Sequence, residues 1–174
     1  MVTAVIVNIL FYLGDHLEGN DQVPQISSLA FRDGLNLAVG TSTGHILLYD
    51  IRSSRPLLIK DHFYGIPIKK LLFHSTLDQV ISLDAKSVKI WDRATGKPYT
   101  SIESETAELN DICAYEGSGL IFMANEQPKM QVHYIPSLGE CTVFYPSLEF
   151  YYSDLSNKRS LQTSVALGFL FQNR

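Results

Sequence analysis

The side chains in this chain that are able to do chemistry are few and scattered. There are five histidines and two cysteines among 174 residues. Cys113 and Cys141 are far apart and form no CxxC pair, so neither a zinc site nor a disulfide framework is indicated, and a reducing compartment fits. His62 has no second His, Cys or carboxylate at a metal-ligand spacing, so a structural hydrogen bond is its expected role. Ser, His and Asp are all present, as nucleophilic catalysis would require, but no spacing marks a set of them. No nucleophile elbow of the G-x-S-x-G type, no P-loop and no HExxH is expected. The acidic stretch Gly14–Asp21 lacks the alternating ligands and terminal Glu of a calcium loop and reads as a solvated loop. No catalytic, cofactor-binding or metal residue is therefore expected, and no small-molecule substrate.

Lys60, Lys69 and Lys70 are the nearest thing to a basic cluster. The net charge is −4, so no general positive field exists to hold nucleic acid. The apolar run Val2–Leu13 is too short to span a bilayer and lacks the flanks of a signal peptide; a strand is expected there and no membrane role. Lys158-Arg159 is too short for a nuclear localisation run. Phe150, Tyr151 and Tyr152 form an aromatic, low-charge segment suited to an interaction strand or to aggregation.

What must position these residues is a repeat. A unit of about forty-two residues recurs without a gap. Phe31 maps onto Phe73 and then Tyr115; Tyr49-Asp50 maps onto Trp91-Asp92; Pro56 maps onto Pro98. A period of this size ending in Trp-Asp marks a β-propeller blade. In the first unit Ile26–Phe31 reads as a strand, Arg32-Asp33-Gly34 as a turn, Leu37–Gly40 as a second strand, and His45–Asp50 as a third. Pro56–Ile59 begins an outer strand, where a missing N–H is tolerated. The second unit repeats this, with Val80-Ile81-Ser82 in place of Ala38-Val39-Gly40 and Val88–Asp92 in place of Ile46–Asp50. The third is weaker. Cys113 and Tyr115 fall on Leu71 and Phe73, Ser118-Gly119 turns the chain, and one extra residue brings Tyr134 to the Trp91 position, with Ile135-Pro136 where Asp92 would stand. The near-continuous apolar runs suit small sheets buried on both faces. Trp91 is expected to be a packing residue between blades.

The repeats resemble a particular family. The run from Leu35 to Pro67, and above all Lys60-Asp61-His62-Phe63-Tyr64-Gly65-Ile66-Pro67-Ile68-Lys69, is similar to the later blades of the nucleolar protein 10 family. So is Ala124-Asn125-Glu126-Gln127-Pro128-Lys129-Met130 followed by Tyr134-Ile135-Pro136. The resemblance covers about residues 26–139.

The expected organisation is a divergent segment over 1–25, repeats over about 26–67, 68–108 and 109–139, and a divergent aromatic-rich tail over 140–174. The expected fold is all-β: a WD40 β-propeller fragment of about three four-stranded antiparallel blades. The repeat signature comprises Tyr49, Asp50, His62, Trp91, Asp92 and Tyr134. The resemblance implies a non-catalytic scaffold in small-subunit pre-rRNA processing. Its partners would be other small-subunit processome proteins, with pre-rRNA reached indirectly, in the nucleus and nucleolus. The alternative is a truncated or stand-alone interaction fragment with no ribosomal role. The partner-contact candidates are Lys60, Tyr64, Lys69, Lys70, Asn125, Glu126 and Lys129, in exposed-type loops whose sequence blade packing does not dictate.

Overall fold

A computed structural model of the chain describes residues 24–104, 107–115, 117–128, 130–139 and 164–165. The expectations for Val2–Leu13, Gly14–Asp21, Lys129, Cys141, Phe150–Tyr152 and Lys158-Arg159 lie outside these residues. Three four-stranded antiparallel sheets follow one another. The first holds β1 (Ile26–Phe31), β2 (Asn36–Thr41), β3 (His45–Asp50) and β4 (Leu58–Asp61), in that spatial order. The second holds β5 (Lys70–Phe73), β6 (Gln79–Leu83), β7 (Ser87–Asp92) and β8 (Pro98–Glu103) in the same order. The third holds β9 (Leu109–Tyr115), β10 (Ser118–Asn125) and β11 (Gln131–Gly139), and takes its outer strand, β12 (Ser164–Val165), from the segment read as a tail. Each sheet is a meander, as a propeller blade requires.

Short polar side chains close the turns. Asp33 Oδ1 accepts from the N–H groups of Leu35 and Asn36, both at 2.8 Å, between β1 and β2. Asp92 Oδ1 accepts from Thr95 N–H at 2.7 Å and Thr95 Oγ1–H at 2.6 Å between β7 and β8. These are Asx-type caps that turn the backbone without a helix. The Asp of the Trp-Asp signature is thus a turn former. Asp50 does the same in the first blade, where its carboxylate accepts from Arg52 N–H at 2.9 Å and from the guanidinium at 2.6 Å. Those bonds hold its pKa down to about 2.

Because side chains alternate along a strand, each blade has two faces, and here both bury apolar residues. Leu71, Val80 and Trp91 of the second blade pack with Ala38, Ile46, Leu48 and Ile68. On the opposite face Ile81, Leu83, Val88, Ile90 and Ile102 pack with Leu109, Ile112, Ile121 and Met123 of the third. The far face of the first blade buries Leu37, Val39, Leu47 and Tyr49.

The strand pairings correct the alignment of the repeats in two places. Phe31, Leu37 and Tyr49 lie opposite one another across β1, β2 and β3. The matching trio of the second blade is Phe73, Val80 and Trp91. Leu37-Ala38-Val39 is therefore the counterpart of Val80-Ile81-Ser82, one residue earlier than the gapless alignment places it. The β1–β2 turn is one residue shorter than the β5–β6 turn, and the β2–β3 turn is one residue longer than the β6–β7 turn, so the two differences cancel in sequence. In the third blade the trio facing the second is Ala114, Ile121 and His133. His133 takes the Trp91 position, and Tyr134 and Tyr115 turn to the other face. One extra residue does lie between β10 and β11, since Ile121 and its partner His133 are twelve apart where Val80 and Trp91 are eleven apart, but it does not bring Tyr134 to the Trp91 position. The irregularity comes later, where Ser118 pairs Gly139 but Leu120 pairs Tyr134. That bulge folds Leu138 into the core and places Ile135-Pro136 outside the regular ladder.

Candidate functional site: a buried polar network and an exposed rim

The connection from β4 to β5 starts at His62, which is held from both sides. Its backbone N–H donates to Gly44 O of the first blade at 2.9 Å. Its side chain enters the second blade, with Nδ1 2.7 Å from Asp84 Oδ2 and Nε2 3.0 Å from Ser82 Oγ. Trp91 Nε1–H donates to the same Ser82 Oγ at 3.1 Å. Asp84 sits in the tight turn before β7, where its Oδ1 accepts from Lys86 N–H at 2.7 Å and Ser87 N–H at 2.6 Å. Burial opposes ionisation of Asp84. The bond from His62 and the two turn N–H groups outweigh it, and its carboxyl is held below the ordinary carboxylate range.

The order Asp–His–Ser is that of a hydrolase triad. Its surroundings are not. His62, Ser82, Asp84 and Trp91 are each 0% exposed. The indole N–H occupies the serine oxygen, and no substrate carbonyl has a path to it. Ser82 Oγ accepts from Trp91 Nε1–H and has the Lys89 carbonyl oxygen at 3.2 Å and His62 Nε2 at 3.0 Å, while His62 Nδ1 meets the Asp84 carboxylate. Every polar atom in the chain of contacts is then paired. The arrangement can hold a connection in place; it cannot reach a reactant.

A second serine string corrects the expectation that no nucleophile-elbow pattern is present. Gly40-Thr41-Ser42-Thr43-Gly44 fits the G-x-S-x-G pattern of a nucleophile elbow. Such an elbow needs a strand, the turn and then a helix. Here the turn leads into β3, and Ser42 Oγ accepts from Gln25 N–H at 3.0 Å. The string is a β-turn. Among the described residues no three His, Cys, Asp or Glu side chains come together to hold a metal ion, and no helix is long and apolar enough to cross a membrane.

The candidate contact residues are distributed over the rims. Lys60 Nζ–H donates to Gly96 O at 2.6 Å, tying the first blade to the second. Its ammonium pKa is lowered by burial and by the nearby Lys89 charge. Lys69 Nζ donates to Glu108 Oε1 and Leu109 O, both at 2.6 Å, and Lys70 Nζ lies 2.6 Å from Asp111 Oδ1. Both of these tie the second blade to the third. The three ammonium groups are engaged within the chain and form no unpaired patch. Asn125 Oδ1 accepts from Gln127 N–H at 2.9 Å, and Glu126 N–H donates to Glu108 O at 3.3 Å in the turn after β10. Tyr64 sits elsewhere, with its hydroxyl donating to Glu103 Oε1 at 3.2 Å.

Sequence reasoning found His62 and Trp91 but missed Ser82 and Asp84. The signal for them was available: a hydroxyl nine residues before a tryptophan and an acid in the intervening turn.

The family model described as "Nucleolar protein 10-like, N-terminal domain" matches residues 7–159. This chain belongs to the nucleolar protein 10 family. The match extends beyond residues 26 and 139, the repeat limits read from the sequence. Nucleolar protein 10 of Danio rerio is 58% identical over 117 residues, covering 67% of this chain and 16% of the relative. The Homo sapiens protein of the same name is 51% identical over 119 residues, covering 68% and 17%. Ribosome biogenesis protein ENP2 of Saccharomyces cerevisiae is 40% identical over 151 residues, covering 83% and 21%. The chain thus spans about a fifth or less of the length of these relatives. Among solved structures, the WD40 repeats of RRP9 superpose with a TM-score of 0.58 at 14% identity, over 71% of this chain and 38% of that one. The computationally designed Ika4 protein gives 0.55 at 22% identity, over 68% and 69%. These likenesses show the fold: a WD40 β-propeller arrangement.

Proposed function

We propose that this chain is a non-catalytic scaffold in ribosome biogenesis, acting in small-subunit pre-rRNA processing in the nucleolus beside other small-subunit processome proteins. Family membership carries the reading, since relatives matched across most of the chain bear the names nucleolar protein 10 and ribosome biogenesis protein. The buried network supports the absence of catalysis: the one Ser–His–Asp set among the described residues is sealed from solvent. A rigid set of blades instead presents loops to partners, among them 60–70 and 125–130.

The test is affinity purification of the tagged chain from nucleolar extract, with Trp91→Ala as a misfolding control. Enrichment of small-subunit assembly proteins with the parent chain alone is expected. Equal recovery with the control would defeat the proposal.

A second reading, an interaction fragment with no ribosomal role, is favoured by one observation. Leu29 and Phe31 are 57% and 63% exposed, whereas Leu71, the counterpart of Leu29, is 3% exposed. Open apolar edges of this kind invite other chains. Size-exclusion chromatography with light scattering separates the two. A discrete monomer or dimer with a sharp melt supports the scaffold, and soluble aggregate supports the fragment.

A further inference from the structure

One feature of the rim is not explained by the fold. Immediately after His62, Phe63 has φ +86°, and it is the one described residue other than glycine with positive φ. A β-carbon is strained in that region. The ring gains nothing from burial in return, for it is 75% exposed. The buried network needs His62, and the turn needs Asp61, whose Oδ1 accepts from Phe63 N–H at 2.7 Å. Neither needs a phenyl group at 63. Glycine would satisfy the backbone at lower cost.

The surroundings say what the ring is suited to. Tyr64 stands edge-on to Phe63, with centroids 5.2 Å apart and planes at 82°. Lys89 Nζ lies 5.3 Å from the Phe63 centroid and 5.9 Å from that of Tyr64. Lys86 Nζ lies 5.1 Å from Tyr64. Lys89 is anchored by donating to His62 O at 2.8 Å. Lys86 is exposed in the turn that Asp84 caps. Two aromatic rings and two ammonium groups are therefore presented together by the loop after His62, the turn that Asp84 caps and strand β7.

We infer that the Phe63–Tyr64 loop, with Lys86 and Lys89, is a single-stranded RNA contact in which a base stacks on the exposed Phe63 ring and the flanking phosphates meet the lysines. The inference rests on the ribosome-assembly reading above for its choice of RNA. A nucleotide offers both partners that the patch displays, a flat π-surface for the ring and an anion for the ammonium groups. An acidic peptide offers the anion alone. Asp61 and Glu103 flank the patch, so charge by itself gives little attraction, and stacking must supply the selectivity.

The test is fluorescence anisotropy with the purified chain and a labelled single-stranded RNA of about 12 nucleotides, within the usual site size, at several salt concentrations. Phe63→Gly is expected to weaken binding roughly 5- to 150-fold, the range for loss of one stacked base. Its melting temperature should be no lower than that of the parent, because the strained backbone is relieved. Lys86→Ala should lower the slope of log K against log salt by about 1. Equal RNA affinity for the parent and Phe63→Gly overturns the inference. So does absence of RNA binding at low salt, or binding of a labelled poly-glutamate peptide in its place with the same Phe63 dependence. None of these outcomes touches the extract experiment, so the scaffold reading stands or falls separately.

Discussion

The first two blades share one backbone plan and differ in what fills it. In the second, Trp91 donates to Ser82, Ser82 meets His62, and His62 meets Asp84 in the turn. In the first, Tyr49 stands at the Trp91 position, Val39 at that of Ser82 and Thr41 at that of Asp84. The Ser82 hydroxyl is replaced by the Val39 side chain and the Asp84 carboxylate by the buried Thr41 hydroxyl, and Leu37, Val39, Leu47 and Tyr49 pack together. Thr41 keeps part of the turn's role, with Oγ1 accepting from His45 N–H at 3.0 Å. A blade can therefore form its sheet without the network. What the network adds is a fixed connection, since His62 binds the first blade through its backbone and the second through its ring. The second blade has its entry pinned as well as its core.

The largest test of that contrast is Trp91→Ala. The side chain is fully buried, and its loss opens a cavity and strips a donor from Ser82. A loss of about 3–5 kcal/mol is expected, a large part of the ~5–15 kcal/mol that holds a domain. Urea unfolding measures it. A cost under ~1 kcal/mol would mean that Trp91 is no more a core residue than a surface one.

Next comes Asp84→Ala. The substitution leaves His62 Nδ1 and the Lys86 and Ser87 N–H groups without their acceptor, and a loss of ~3 kcal/mol is expected. The pH profile sharpens this. The folded pKa of Asp84 is depressed, so the folded state binds its proton less readily than the unfolded chain does. Its contribution is present above the unfolded value of about 3.9 and is lost as pH falls through the lower folded value. Asp33, Asp50, Asp78, Asp92 and Asp111 are shifted the same way, so the variant should keep a shallower acid slope and not a flat one. Identical slopes for parent and variant between about pH 2 and 4 would remove Asp84 from the account.

A smaller effect probes the first blade. A β-carbon on Gly40 would lie 2.7 Å from Ile68 Cβ, across the joint between blades. Gly40→Ala should cost about 1–3 kcal/mol through overpacking. Gly34→Ala in the β1–β2 turn meets nothing within 4 Å and has an ordinary φ. It should be neutral or stabilising by up to ~1 kcal/mol. Thermal melts of the pair test whether the joint is as tight on the side lacking the network.

Much of this was legible in the chain. The period, the turn aspartates and the apolar runs are local signals, and they mark an all-β chain of four-stranded antiparallel sheets, although the outer strand of the third, Ser164–Val165, lies in the segment read as a tail. The register within the sheets was less legible. A one-residue-shorter turn followed by a one-residue-longer one leaves no gap, so Gly40 was matched with Ser82 when Val39 is its true counterpart. Parity misled in the third blade too. Tyr134 is the larger aromatic, but a ladder in which Ile121 faces His133 puts the histidine toward the core. Burial there lowers its pKa. The polar network was half legible, because His62 and Trp91 are conspicuous residue types whereas Ser82 and Asp84 are common ones. They acquire a role only when β6 and β7 bring them to the ring of His62. The Phe63 platform was not legible at all, since nothing in the sequence reports a backbone angle.

The smallest predicted effect concerns the second joint. Lys70 and Asp111 pair at 2.6 Å between the second and third blades, with both side chains about a third to three-fifths exposed. Solvent screens such a pair, and ordering two long side chains offsets much of the attraction. Lys70→Met should cost no more than ~1 kcal/mol, and the difference from the parent should shrink with added salt. Lys69 is the sharper comparison. It reaches a backbone carbonyl, Leu109 O, as well as the Glu108 carboxylate, and it is the less exposed lysine. Lys69→Met should therefore cost more than Lys70→Met and keep more of its effect in high salt. If the two variants behave alike at every salt concentration, the joint between these blades is held by the apolar cluster of Ile81, Ile90 and Ile121 alone. The contrast between the two blades would then rest on His62 and its partners.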